Sequence, residues 1–329
     1  MAVAALAALA LLVAACTGDL SRPHGSPVST QPSVAAVQPP SAGPGATAEQ
    51  PSPRPSPGGS GQALPSNLPP IPAGAVPILY YHRVQALPAG YSTWTKARQA
   101  AFIDYDVMPT AFVAQLDWLV AQGYTTILPR DLAAHWDHAV PLPAKPVILT
   151  FDDGSNDWVT TVLPLLQARG MVAEFYLTLT AVSDGRITWP EVQTLAAAGE
   201  GIGAHDVHHV QLAELGDGRP DASPATMWAE VNGARNTIGS HVGVYPDSMA
   251  YVGGGFSPAL EALVRQAGYT TARSILRGIV PTVVLRYELH VVRIGPYDDV
   301  IDRLTGAINP ALPIFVERMH GVSDHQPVD

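Results

Sequence analysis

Two short runs carry the side chains best suited to chemistry. In Thr150-Phe151-Asp152-Asp153-Gly154, two adjacent carboxylates follow an apolar run. Neighbouring negative charges repel one another, and a strand continued through both would turn them to opposite sides. One of the pair could hold a cation while the other works as a base, since a divalent ion relieves the repulsion. A plain Asp-Gly turn is the alternative. In His205-Asp206-Val207-His208-His209, the first and last histidines are four residues apart, so one helical turn would bring both imidazoles to one face. Two imidazoles and a carboxylate, with positions left open, are the ligand set of a catalytic zinc or similar divalent centre. A histidine pair alone is common on solvated surfaces; its occurrence beside a strand-end Asp-Asp is what points to metal chemistry. His208 would face away from the other two.

Something must bring these runs together, and the pattern around them is an alternation of strands and helices. Val76–Tyr81, Val147–Phe151, Ala173–Leu179, Gly201–Ala204 and Val291–Ile294 read as strands. Thr110–Gln122, Asn156–Arg169, Trp189–Ala198, Met227–Ile238 and Ala259–Gln266 read as helices, with Gly123, Gly170 and Gly199 as stops. Repeated β-then-α units imply an α/β fold with a parallel sheet, open or closed into a barrel. In either form chemistry is expected where strands end, which is where both polar runs fall.

Composition narrows the rest. The 329 residues are 47% hydrophobic with a net charge of −10, enough apolar material for a core and no basic cluster for nucleic acid. Fourteen prolines lie between Thr17 and Ala75 among Ser, Gly, Ala and Gln, so residues 17–75 read as an extended linker and residues 76–320 as the globular domain. Met1–Ala15 is almost wholly apolar but too short to span a bilayer. Small residues before Cys16, the single cysteine, match a bacterial lipoprotein signal over residues 1–16. The expectation is an exported cell-envelope protein tethered to a membrane through lipid on Cys16, or else a secreted one.

The chain resembles a family. TFDDG, followed some fifty residues later by H-x-x-x-H in a domain opening with VPILYYHRV, is similar to the polysaccharide deacetylases of carbohydrate esterase family 4 over residues 76–296. The resemblance implies a distorted (β/α) barrel of about seven strands and removal of acetyl groups from polysaccharides with a divalent metal, most often zinc. Residue by residue, Asp152 matches the family's general base, and Asp153, His205 and His209 match its metal ligands. A metal so bound lowers the pKa of its water, which attacks the acetyl carbonyl while Asp152 takes the proton. The oxyanion needs the metal and a backbone N–H, and the departing amine needs a general acid on the other side. Most members carry that acid on a Leu-x-His near the C-terminus, which His320 in Arg318-Met319-His320 resembles. A circularly permuted branch, similar to the deacetylases of poly-N-acetylglucosamine export, carries it in an opening Tyr-His. Tyr81-His82 matches that opening better, so His82 is the assignment.

The sequence also departs from the family. Asp206 stands where Ser or Thr is usual and adds a negative charge near the metal. Ala250 stands where many members have the arginine that orients the base, and Gly253 replaces an aromatic residue of the sugar site. Arg293 is a candidate to supply the missing cation to Asp152, with a structural salt bridge as its other role. The loop could still offer the N–H of Tyr251 or Val252 to the oxyanion. No Gly-x-Ser-x-Gly element appears, which removes a serine-esterase route. The reading is a metal-dependent N-deacetylase of an amino-sugar polysaccharide, with zinc as the metal. O-deacetylation by the same residues, or a carbohydrate-binding lipoprotein that has lost turnover, are the alternatives.

Overall fold

The computed structural model describes residues 74–215 and 222–294. Among the described residues ten strands run in chain order: β1 (Ile78–Tyr81), β2 (Arg83–Val84), β3 (Asp106–Val107), β4 (Thr125–Thr126), β5 (Pro146–Asp153), β6 (Glu174–Leu177), β7 (Gly201–Ala204), β8 (Ser248–Ala250), β9 (Thr271–Arg277) and β10 (Leu289–Arg293). Seven close into a ring in the order β1-β10-β9-β8-β7-β6-β5, and β5 pairs back onto β1. Every neighbouring pair is parallel, while β4 adds to the outside of β5 and β2 pairs with β3 alone. The barrel expected from the resemblance is therefore present.

Alternation along the strands divides each into an inward and an outward set. Val147, Leu149 and Phe151 of β5 pack outward with Phe175, Leu177 and Met249, against helix residues such as Leu116, Leu166, Leu195, Val231 and Val264. The intervening residues face the barrel axis, where Ile78, Ile148, Leu289 and Val291 form a smaller cluster. Above that cluster the lumen is polar: Thr150, Asp152, Glu174, Tyr176, Ser248, Thr271 and Arg273 are all buried. The glycines of β7 exist for this filling. A Cβ on Gly201 would lie 1.7 Å from a Glu174 carboxylate oxygen, and one on Gly203 would lie 2.4 Å from the Tyr176 ring.

The outer layer comprises α1 (Lys96–Tyr105), α2 (Pro109–Ala121), α3 (Pro129–His138), α4 (Leu163–Gln167), α5 (Leu179–Ser183), α6 (Trp189–Ala197), α7 (Pro224–Val242) and α8 (Pro258–Ala267). Prolines open α2, α3, α7 and α8, where a missing N–H costs nothing. Ser223 and Ser257 cap the free N–H groups of α7 and α8, and Gly243 and Gly268 end them in the left-handed region. The helix expected over 156–169 is present, wound as a π-helix over Trp158–Val162 and continuing without a break into α4. Strands β8 and β9 and helices α1 and α3 were not foreseen. Among the described residues no helix is long and apolar enough to cross a membrane. Cys16, residues 1–73 of the signal and linker, His320 and the rest of 295–320 lie outside the described residues.

Candidate metal centre and active site

Strand β5 runs through both aspartates, so Asp152 turns inward while Asp153 ends the strand at φ 80°. The following Gly154 is irreplaceable in this turn: its φ is +106°, and a Cβ there would lie 2.5 Å from Ala181 Cβ. Two strands away, β7 delivers His205 beside them. The His205 N–H donates to the Leu177 carbonyl (2.9 Å), and its Nδ1 lies 2.8 Å from the Ala250 carbonyl. A carbonyl can only accept, so Nδ1 carries the proton and Nε2 presents a lone pair. That Nε2 lies 3.6 Å from Asp153 Oδ1, and His209 Nε2 lies 3.0 Å from the same oxygen.

The two histidines do not meet through a helical turn, which corrects the sequence reading. Residues 205–212 are irregular, and Asp206 and His209 both have φ 57°. The turn is tied by the buried Asp206 carboxylate, which accepts the N–H of His209 (2.6 Å) and of Val210 (3.0 Å). The charge foreseen near the metal therefore belongs to the scaffold. Burial, then the nearby Glu230, pushes Asp206 up to about 7. His208 points away, its side chain 71% exposed and bound to Glu230 at 2.6 Å.

Asp153, His205 and His209 thus bring one carboxylate oxygen and two imidazole nitrogens within 4.8 Å of one another. Burial would raise the Asp153 carboxyl, but the His209 hydrogen bond and the fields of His82, His205 and His209 hold it well below the usual carboxylate range. Burial lowers His205. For His209 burial also lowers, yet the bond to Asp153 and its charge outweigh it, and the net shift is upward. This set is anionic, preoriented and open on one side, since Asp153 and His209 are 23% and 28% exposed. Its chemistry fits a divalent cation of borderline softness.

Asp152 is 2% exposed, and its Oδ1 is held by the Arg273 guanidinium. Its Oδ2 lies 3.9 Å from His205 Nε2. Arg273 comes from β9 and is fully buried, stacked 4.5 Å from the Tyr80 ring centre and 5.1 Å from that of Tyr176. Sequence reasoning missed it. The signal was present: the run 271–277 follows the α8 pattern where a strand is due, and an arginine inside a buried strand needs an anion. Arg293, the residue proposed for this position, instead donates to the Asp104 carbonyl (3.0 Å) and lies over Tyr105.

His82 stands just past β1, 8% exposed, with its Nε2 2.9 Å from the Tyr80 hydroxyl. Burial lowers it to about 4 against the pull of Asp153 and Asp152. Trp158 Nε1 donates to the His82 carbonyl (3.0 Å), and the Tyr105 ring meets the imidazole edge-on at 4.6 Å. Of the two oxyanion candidates, Tyr251 is spent: its N–H donates to the Arg273 carbonyl (3.0 Å) and its hydroxyl to the Tyr287 carbonyl (2.9 Å). Val252 remains the candidate. A cleft of about 530 Å³ is lined by Gln85, Ser155, Asn156, Asp157, Thr160 and Arg186 among others, and none of the three donors lines it.

Residues 139–272 match the family model described as Polysaccharide deacetylase. Over 222 residues the chain is 22% identical to YxkH of Bacillus subtilis, a protein described as a polysaccharide deacetylase, covering 67% of this chain and 72% of that one. A 62-residue stretch, 19% of this chain, is 39% identical to the poly-beta-1,6-N-acetyl-D-glucosamine N-deacetylase of Escherichia coli K12, and spans 9% of that protein. Among solved structures, the Streptococcus pyogenes deacetylase PplD in complex with acetate is similar with TM-score 0.62 at 20% identity, covering 72% of this chain and 99% of that one. IcaB from Ammonifex degensii is similar with TM-score 0.57 at 18% identity, covering 71% and 97%. The structural likenesses bear on the fold.

Proposed function

We propose that the chain is a polysaccharide deacetylase, as the match over residues 139–272 supports, and that it hydrolyses N-acetyl groups on an amino-sugar polysaccharide. One observation carries the reading. A three-donor cluster of Asp153, His205 and His209 sits beside Asp152, a carboxylate held by an arginine and outside the cluster. Those three residues would hold a divalent cation, and zinc suits one oxygen and two nitrogen donors. When bound, such an ion supplies Lewis acidity, lowering the pKa of a water and polarising an acetyl carbonyl.

The chain's own residues do the rest. Asp152 Oδ2 takes the proton of the attacking water, while Arg273 on Oδ1 keeps the carboxylate aimed. The Val252 N–H is offered to the developing oxyanion. His82, charged by a proton from solvent, donates it to the departing amine, since an amide nitrogen leaves only when protonated, and Asp152 sheds the water's proton to solvent to complete the cycle. Its position one strand over from Asp152 supports that division, because β1 and β5 are paired neighbours. Arg273 also weighs against a binder without turnover: the cation absent at Ala250 arrives from β9 instead. We place the protein in the cell envelope, tethered through Cys16.

The test is acetate release from N-acetylglucosamine oligomers and from acetylated xylan, with protein stripped by chelator and then given zinc. The reading expects acetate from the amino sugar, none after stripping, and recovery with zinc. Release from xylan alone would favour O-deacetylation. Release unaffected by chelation, or abolished equally by His208→Ala, would overturn the site.

A further inference from the structure

The mechanism uses His82 and Arg273 but not the side chain that touches both. Tyr80, the penultimate residue of β1, points into the barrel with its hydroxyl 2.9 Å from His82 Nε2 and its ring face 4.5 Å below the Arg273 guanidinium. Arg273 holds Asp152. One phenol therefore joins the candidate acid to the candidate base across the mouth of the barrel. We propose that Tyr80 is a positioning residue for proton donation by His82, an inference that rests on the reading of His82 given above.

The physical argument begins with what a hydroxyl can do. It donates to Nε2 when the imidazole is neutral and accepts from Nε2–H when the ring is charged, so the contact survives both protonation states. Burial, with the field of Asp152 added, raises the Tyr80 phenol well above its ordinary value, so it stays a neutral O–H throughout. With Nε2 engaged by Tyr80, Nδ1 is the nitrogen left to serve the departing amine. The ring cannot simply swing away: Trp158 fixes its carbonyl and Tyr105 abuts its edge. The other groups acting on His82 are Asp152 and Asp153 of β5, Arg293 of β10 and Arg83 of β2. Those groups act on the imidazole through their charge, whereas the Tyr80 hydroxyl meets its Nε2 directly at 2.9 Å, so the orienting contact is Tyr80's.

Tyr80→Phe keeps the ring over Arg273 and deletes only the hydroxyl. The comparison uses the zinc-loaded enzyme on two substrates: an N-acetylglucosamine oligomer, whose amine must be protonated to leave, and 4-nitrophenyl acetate, whose phenolate needs no proton. The expected result is a fall of about 10- to 100-fold in kcat on the oligomer, with KM within about twofold and the activated ester spared. His82→Ala, run in parallel, should show the same selectivity more strongly. A Tyr80→Phe enzyme that loses both substrates equally, or neither, overturns the proposal while leaving His82 in place if His82→Ala remains selective. A His82→Ala enzyme with full oligomer activity removes the parent reading and this one with it. Circular dichroism melts of both variants separate misfolding from chemistry.

Discussion

Replacing Arg273 with leucine is the most demanding test of the site. The guanidinium is fully buried, Asp152 is 2% exposed, and the nearest other basic atom is His205 Nε2 at 3.9 Å. The variant therefore strands a carboxylate in the barrel with no direct partner. Breaking a buried pair in this way costs about 3–5 kcal/mol, a large share of the roughly 5–15 kcal/mol that holds a domain together. Asp152→Asn should be costly for the mirror reason, leaving a buried cation. Changing both removes both charges, so the double variant should be more stable than either single one, with a coupling of about 3 kcal/mol or more. Activity should behave differently. Arg273→Leu and Asp152→Asn should each lose most turnover, and the double variant should be no better than Asp152→Asn, since it has no base to restore. Urea unfolding of the four proteins gives the stability cycle, and acetate release gives the catalytic one. Additive stabilities, or an Arg273→Leu enzyme with near-normal kcat, would show that the pair neither holds the barrel nor prepares the base.

Three further outcomes follow from named contacts. Asp206→Ala removes the acceptor for two backbone N–H groups in a left-handed turn and should cost about 2–3 kcal/mol and weaken zinc binding, whereas Asp206→Asn should retain most of both; competition with a chromophoric chelator measures this. Glu200, whose Oε2 accepts the Ala173 N–H, is pushed by burial up to about 7. A carboxyl whose folded value lies above its unfolded one favours the fold at low pH and loses that contribution as pH rises from about 4.5 to 7. Thermal melts of Glu200→Gln should therefore gain on the wild type between pH 5 and pH 8, by up to about 3 kcal/mol, and a constant difference would refute the burial effect. Zinc at a hundred times its Kd should stabilise the protein by about 2.7 kcal/mol, an increment absent in Asp153→Ala and unchanged in His208→Ala, as read by melting temperature.

Much of this was legible in the chain because local chemistry repeats it. The apolar run ending at Phe151 had to be buried, and the two aspartates after it fall at the polar end of the same strand. The glycine stops at 123, 170 and 199 marked helix ends correctly, each with positive φ. What the sequence concealed were relations between distant segments. The spacing of His205 and His209 was informative for a reason other than helix geometry: a four-residue interval also fits a turn tied by Asp206. Arg273 was easy to pass over because an arginine in a strand reads as surface until the ring closes and Asp152 faces it. Tyr251 illustrates the converse. Its N–H was eligible by position, but sheet pairing with Arg273 had already claimed it.

The way the ring closes has a bearing on how the protein is made. Among the described strands β1 is the first stave to be synthesised, yet its two partners are β5 and β10, the latter the last of them. Until residues 289–293 arrive, one edge of β1 stays bare, and its pairing with β10 spans some two hundred residues. Such long-range parallel closure is slow and leaves apolar edges open to wrong partners in the interval. His82 sits immediately beyond that stave, so the acid half of the proposed machinery would be assembled only when β10 closes the ring, after the carboxylate and imidazole half was in place. A chain stalled before closure would then bind an ion without being able to turn over.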